Sequence, residues 1–268
     1  MSQSGLFQML VEGTVSDSMT EQAETCQKLR RESRVVLALL LLWALLPVPL
    51  VWISFYQFHS FWIAILAYGG IVCVFPTLLI HLQVLLNRQR RLNQQNPRKR
   101  LACKKRSLLL TAGLIVLTWL VLEGGWLWFK KSMLNWESFP EATASIGLTP
   151  GLPFWLLVIY FVALNPVVEE FFWRGVVYER LKSFVSPWHA LLWSSLLFGA
   201  WHWVIIQYFF TPAWQIALTF LVCLGGVIFG LLYERSKSLL PAILVHGLGA
   251  DLVIMLILWD AINTQPSY

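Results

Sequence analysis

Charge is what this sequence has least of: Asp, Glu, Lys and Arg make up only 13% of its 268 residues. That is about half the ~25% of an ordinary soluble domain. With 57% apolar residues and a mean hydropathy of +0.64, the chain cannot cover itself with a water-compatible surface. The scarcity excludes a soluble globular protein, a disordered chain and a soluble nucleic-acid binder. Cysteine is also scarce. The four present (Cys26, Cys73, Cys103, Cys223) show neither disulfide nor metal-ligand spacing, which excludes a disulfide scaffold and marks them as packing residues. There is no Gly-X-Y period, internal repeat, low-complexity segment or His-Glu-x-x-His string. The N-terminal stretch is polar and of mixed charge. It lacks the basic start, apolar core and cleavage site of a signal peptide, and reads as a cytoplasmic tail.

What is abundant is long apolar sequence. A hydrocarbon core of ~30 Å requires about 20 apolar residues per helix. Such runs occur at Val35 to Tyr56, Phe61 to Leu86, Leu108 to Phe129, Gly151 to Phe172, Trp188 to Phe210, Trp214 to Tyr233 and Leu239 to Trp259. The expected fold is all-α, a polytopic transmembrane helix bundle of about seven spans, with six to eight as the range. Asn165-Pro166 interrupts the fourth run, because the residue before a proline avoids helical geometry. The sequence therefore predicts a short membrane segment followed by a fresh helix starting at Pro166. Four regions follow: a polar tail over 1–34, N-terminal spans over 35–149 with a basic loop at 87–107, a second group of helices over 150–260, and a polar end at 261–268.

Basic residues set the expected orientation. Threaded through seven spans, eighteen of the twenty Lys and Arg residues fall on one side, and only Lys130 and Lys131 fall on the other. By the positive-inside rule the N-terminus is cytoplasmic and the C-terminus outside, in a multi-pass protein of the bacterial plasma membrane. The nine basic residues from Arg88 to Arg106 read as a topogenic loop in contact with lipid headgroups, not as a nucleic-acid site. Many of the fifteen tryptophans, among them Trp43, Trp62, Trp126, Trp128 and Trp259, lie near span ends, where interfacial aromatic belts form.

Ionisable groups at membrane depth are costly and mark function by default. Eight stand out: His81, Glu123, Glu169, Glu170, Arg174, His202, His246 and Asp251. His81 and Glu123 lie near span ends and read as interfacial. The other six fall in three C-terminal segments. In the first, Glu170 and Arg174 are four apart and can pair along a helix, while Glu169 points about 100° away and stays unneutralised. The second places Phe198 and His202 on one helix face, and the third holds His246 and Asp251 in apolar surroundings. A bundle interior with a free carboxylate and two imidazoles has the components to activate water and to stabilise an oxyanion.

Glu-Glu-x-x-x-Arg at Glu169 to Arg174, Phe-x-x-x-His at Phe198 to His202, and His246 near the start of the last helix resemble, in this order, the motifs of the CPBP family of membrane proteases. This family includes the CAAX prenyl endopeptidases and bacterial proteins of bacteriocin processing or immunity. The likeness covers about residues 150 to 255. It implies a glutamate-dependent endopeptidase without a bound metal or other cofactor. Glu169 would be the base for water, His202 would help hold that water, and His246 would serve the oxyanion site, with Glu170, Arg174 and Phe198 supporting. One position departs from the family pattern: Ala250 stands where Asn or Asp is usual four residues after the histidine. Asp251, five residues on, would be swung ~140° from His246 on a regular helix, unless Gly247 and Gly249 let the helix deform and bring it round.

The reading from sequence is thus a membrane-embedded endopeptidase. Its substrate would be a peptide or protein, either prenylated or a secreted peptide precursor, met among membrane lipids. Two alternatives are a non-catalytic binding or immunity protein that keeps the fold, and a zinc protease ligated by Glu169, His202 and His246. A transporter is disfavoured by the lack of paired repeats.

Overall fold

In a computed structural model of the chain, residues 34–79 and 105–264 are described. His81, Cys26, Cys103, most of the N-terminal tail and the basic loop from Arg88 to Lys104 lie outside them. The described residues form eight helices and no β-strand: α1 (Arg34–Tyr56), α2 (Phe61–Leu79), α3 (Ser107–Met133), α4 (Phe139–Ser145), α5 (Leu152–Leu181), α6 (Pro187–Phe209), α7 (Pro212–Ser236) and α8 (Leu240–Asn263). All but the short α4 are long and apolar enough to cross a bilayer. The chain is an all-helical, multi-pass membrane protein. Residues 34–42 fall in one compact unit, and Trp43 onward form a second, which holds everything below.

Helix starts follow from local chemistry. Ser60 and Ser186 cap α2 and α6, their hydroxyls accepting from Ile63 N at 3.3 Å and His189 N at 3.4 Å. Proline opens both α6 (Pro187) and α7 (Pro212), where its missing N–H is no loss. α7 ends at Lys237 in the left-handed conformation (φ 53°). Apolar side chains such as Leu120 and Phe220, 68% and 70% exposed, cover the outside as lipid-facing residues must.

α6 and α7 pack along a seam of small residues. A Cβ on Gly226 would sit 3.0 Å from the Ser195 Cβ, and one on Gly230 only 2.2 Å from Leu191. The four-residue spacing of these glycines places both on one face of α7. In lipid, such close backbone approach replaces the hydrophobic drive of water-soluble packing. The approach also exposes the Gly226 carbonyl to a side chain from α5.

α5 does not break at Asn165-Pro166 as the sequence predicts. It runs unbroken from Leu152 to Leu181 because the turn before the proline widens into a π-helical segment, Tyr160–Leu164, in which Asn165 N bonds Tyr160 O. Pro166 has no N–H to give to Val162 O four residues earlier. Gly247 of α8 sits against that carbonyl: a Cβ there would lie 2.5 Å from Val162 O and 2.9 Å from Pro166 Cγ. α5 and α8 therefore meet at backbone distance beside the two motifs they carry. Further π-helical turns span Leu66–Val74 in α2, Trp173–Tyr178 in α5 and Val245–Asp251 in α8. Neighbouring indoles reach into two of them, Trp43 Nε1 donating to Val72 O at 3.0 Å and Trp119 Nε1 to Leu248 O at 2.7 Å.

Candidate active site

The site is built outward from two adjacent carboxylates on α5. Glu169 and Glu170 are both fully buried. Glu170 Oε1 accepts from Arg174 Nη1 at 2.8 Å, the i,i+4 pair that the spacing allows. Arg174 Nη2 donates to Gly226 O at 2.9 Å, using the carbonyl exposed on the α7 seam. Its guanidinium also lies over the rings of Phe198 (4.9 Å) and Phe229 (5.2 Å), so the charge is enclosed by acceptors and aromatic faces. Glu169 points elsewhere. The nearby Tyr68 hydroxyl accepts from Trp173 Nε1 at 2.8 Å. Glu169 Oε2 is buried with no hydrogen-bond partner in the protein, as is Glu170 Oε2.

α8 brings His246 to both acids. Its Nδ1 is 3.0 Å from Glu170 Oε1, and since a carboxylate held by arginine can only accept, His246 donates there. The other ring nitrogen, Nε2, lies 3.8 Å from Glu169 Oε2 and 3.5 Å from Asp251 Oδ1. Phe229 stacks on the imidazole, centroids 4.9 Å apart and planes at 17°. The regular-helix expectation for Asp251 is overturned here. Val245–Asp251 is a π-helical turn, in which residues five apart sit one above the other, so Asp251 returns to the His246 side. Asn165 Nδ2 donates to its other oxygen at 3.2 Å.

His202 does not touch the carboxylates directly. Its Nδ1 donates to Phe198 O at 2.8 Å, so the neutral ring carries its lone pair on Nε2. Phe198 stands between the two histidines, 4.5 Å from His202 and 6.0 Å from His246 by ring centroid. Trp201 lies against His202 (3.8 Å) and Tyr68 (4.2 Å), and its buried indole N–H has no partner. Of the sequence candidates, the structure joins Glu169, Glu170, Arg174, His246 and Asp251 by direct contacts and places Phe198 and His202 alongside. Glu123, on α3, is only partly buried.

Asn165, Tyr68, Trp173, Trp201 and Phe229 are not among the site candidates of the sequence reading. Only Asn165 left a signal there, four residues before Glu169 and hence on its face of α5. Three of the four buried side-chain atoms without partners among the described residues belong to Glu169, Glu170 and Trp201. Unmet hydrogen-bonding capacity is concentrated where these helices converge. Among the described residues, no group of three His, Cys, Asp or Glu side chains has an arrangement that could hold a metal ion. An apolar groove of about 140 Å³ runs between α2 and α5, lined by Cys73, Val74, Thr77 and Leu78 opposite Val167, Val168 and Phe171.

None of the curated proteins and none of the solved structures compared with the chain is a match. A family model does match residues 151–250, from the start of α5 to the turn after His246, and its description is type II CAAX prenyl endopeptidase Rce1-like. Those residues carry all three motifs, and the helices that present them are apolar and long enough to cross a bilayer. Over residues 151–250 the chain is thus similar to the type II CAAX prenyl endopeptidase Rce1-like proteins, in keeping with the resemblance of its motifs.

Proposed function

We propose that the chain is a membrane-embedded endopeptidase in which Glu169 activates a water molecule for attack on a peptide carbonyl, with residues 150–260 as the catalytic bundle. The observation that carries this reading is the asymmetry of the two carboxylates. Glu170 Oε1 is held by Arg174 and His246, whereas the facing oxygen of Glu169 is buried, unpartnered and 3.8 Å from His246 Nε2. Each carboxylate keeps one unpartnered oxygen, but only Glu170 is tied to the Arg174 guanidinium, so Glu169 is the one left to take a proton.

In the proposed reaction the water oxygen bonds to the carbonyl carbon while its proton passes to Glu169. The carbonyl electron pair moves onto oxygen. Collapse of that tetrahedral intermediate breaks the carbon–nitrogen bond, and the departing amine takes the proton back from Glu169. His202, with its lone pair on Nε2, accepts from the attacking water and orients it. His246 lies between the acids, and Asp251, 3.5 Å from its Nε2, orients the imidazole. Glu170, Arg174 and Phe198 hold the scaffold.

The substrate is proposed to be a peptide with an apolar chain beside the scissile bond. Val168 and Phe171 flank the two glutamates in sequence and line the groove between α2 and α5, which supports a prenylated peptide over a polar secreted precursor. The basic residues support a cytoplasmic N-terminus and cleavage near that membrane face. The test uses purified protein in liposomes and a fluorogenic peptide ending in a farnesylated cysteine followed by three residues. Glu169→Ala and His202→Ala should each abolish cleavage while the protein stays folded. Full activity in either variant contradicts the proposal.

A further inference from the structure

A tetrahedral intermediate needs donors that carry their protons in every state of the cycle. Most donors at this site are already committed. Arg174 gives Nη1 to Glu170 and Nη2 to Gly226 O, His246 gives Nδ1 to Glu170, His202 gives Nδ1 to Phe198 O, and Trp173 gives Nε1 to Tyr68. Ionised carboxylates have no proton to give, and one facing a new oxyanion would repel it. Ala250, on the last helix beside Asp251, carries no polar group at all.

Asn165 differs from all of these. It is 4% exposed, so its amide is at depth, and it sits one α-helical turn before Glu169 on the same face of α5. An amide carries two N–H groups and no charge. One is accounted for by Asp251 Oδ2 at 3.2 Å. Asp251 in turn reaches His246 Nε2, which faces Glu169 Oε2. The amide is thereby fixed in orientation by an acid that itself borders the reacting groups.

We propose that the Asn165 side-chain amide is the neutral donor that holds the developing oxyanion at this centre, aimed by Asp251. This rests on the endopeptidase reading above. When the water oxygen bonds to carbon and the carbonyl electron pair moves to oxygen, the Asn165 N–H bonds that oxygen more strongly than the ground-state carbonyl. It releases it as the amine leaves with the proton from Glu169. The π-helical turn in α8 is what makes the anchor available, because it carries Asp251 round to meet Asn165.

The test measures kcat, KM and thermal melting of the full chain in liposomes with the farnesylated fluorogenic peptide. Asn165→Ala should lower kcat ~10²- to 10³-fold, the loss typical of one oxyanion donor, with KM little changed. The exchanged pair Asn165→Asp/Asp251→Asn keeps one amide, one acid and their hydrogen bond, and should recover kcat to within about tenfold of wild type. The apolar pair Asn165→Leu/Asp251→Leu removes both groups without leaving either unpaired, and should stay slow. A variant that fails to fold is replaced by the exchanged pair, which preserves volume and bonding.

The inference is overturned by a wild-type kcat in Asn165→Ala, by no recovery in the exchanged pair, or by full activity in the apolar pair. It is also overturned if Trp201→Phe, which removes the one buried side-chain nitrogen without a partner among the described residues, takes the loss instead. Absence of cleavage by the wild-type chain would instead remove the endopeptidase reading itself, and the donor role with it.

Discussion

Two neighbouring glutamates are given unequal surroundings by the residues around them. Glu170 is the counter-charge of a buried arginine, and its oxygen is shared with His246 Nδ1. Breaking such a pair from one side leaves a charge uncompensated, a loss of ~3–5 kcal/mol. Arg174→Ala should therefore lower melting in detergent sharply, while Glu169→Gln, which removes a carboxylate that no arginine holds, should lower activity with little change in melting. Comparable melting losses in both variants would contradict the division of labour. This division was legible in the sequence, since the Glu170–Arg174 spacing and the 100° step to Glu169 are properties of any helix. Phe229 and Trp201 were not legible. Each earns its place only through contacts across helices, and an aromatic residue in an apolar run carries no local mark of that.

At the scale of elements, widened helical turns decide which residues enter the site. The expected break at Pro166 is absorbed by the π-helical segment before it, and Asp251 comes round because Val245–Asp251 is not α-helical. Hydrophobic periodicity cannot show a shift of one residue inside an all-apolar helix, so these features stayed hidden. The register gives a sharp prediction. Moving the polar group to the position four residues after His246, as Ala250→Asn/Asp251→Ala, should leave activity as low as Asp251→Ala alone; recovery would mean an α-helical register there. A second prediction concerns the α5–α8 contact. Gly247→Ala meets backbone at Val162 O, which cannot swing aside, and overpacking of this kind costs ~1–3 kcal/mol. Folding stability should fall by that amount, with a lower melting temperature, and cleavage should fall with it, because His246 is the adjacent residue. Unchanged melting would mean that the helices separate freely.

At the scale of the whole molecule, the described residues hold seven apolar helices long enough to cross a bilayer, where the apolar runs of the sequence lie, because hydropathy is a property of composition and needs no tertiary contact. Orientation rests on the basic residues. Single cysteines at Lys131 and Lys237, introduced into a variant without the native cysteines, should react with an impermeant maleimide from opposite sides, Lys237→Cys only from the cytoplasmic side. Labelling of both from one side would contradict the proposed threading. The central claim is that glutamate, with no bound metal, activates the water. Its most direct measurement is peptide hydrolysis by purified protein in liposomes, before and after exhaustive chelation, beside Glu169→Gln in the same assay. The account predicts wild-type turnover that survives chelation and a Glu169→Gln rate at background. Loss of activity on chelation with recovery on adding zinc, or sustained turnover by Glu169→Gln, would contradict it.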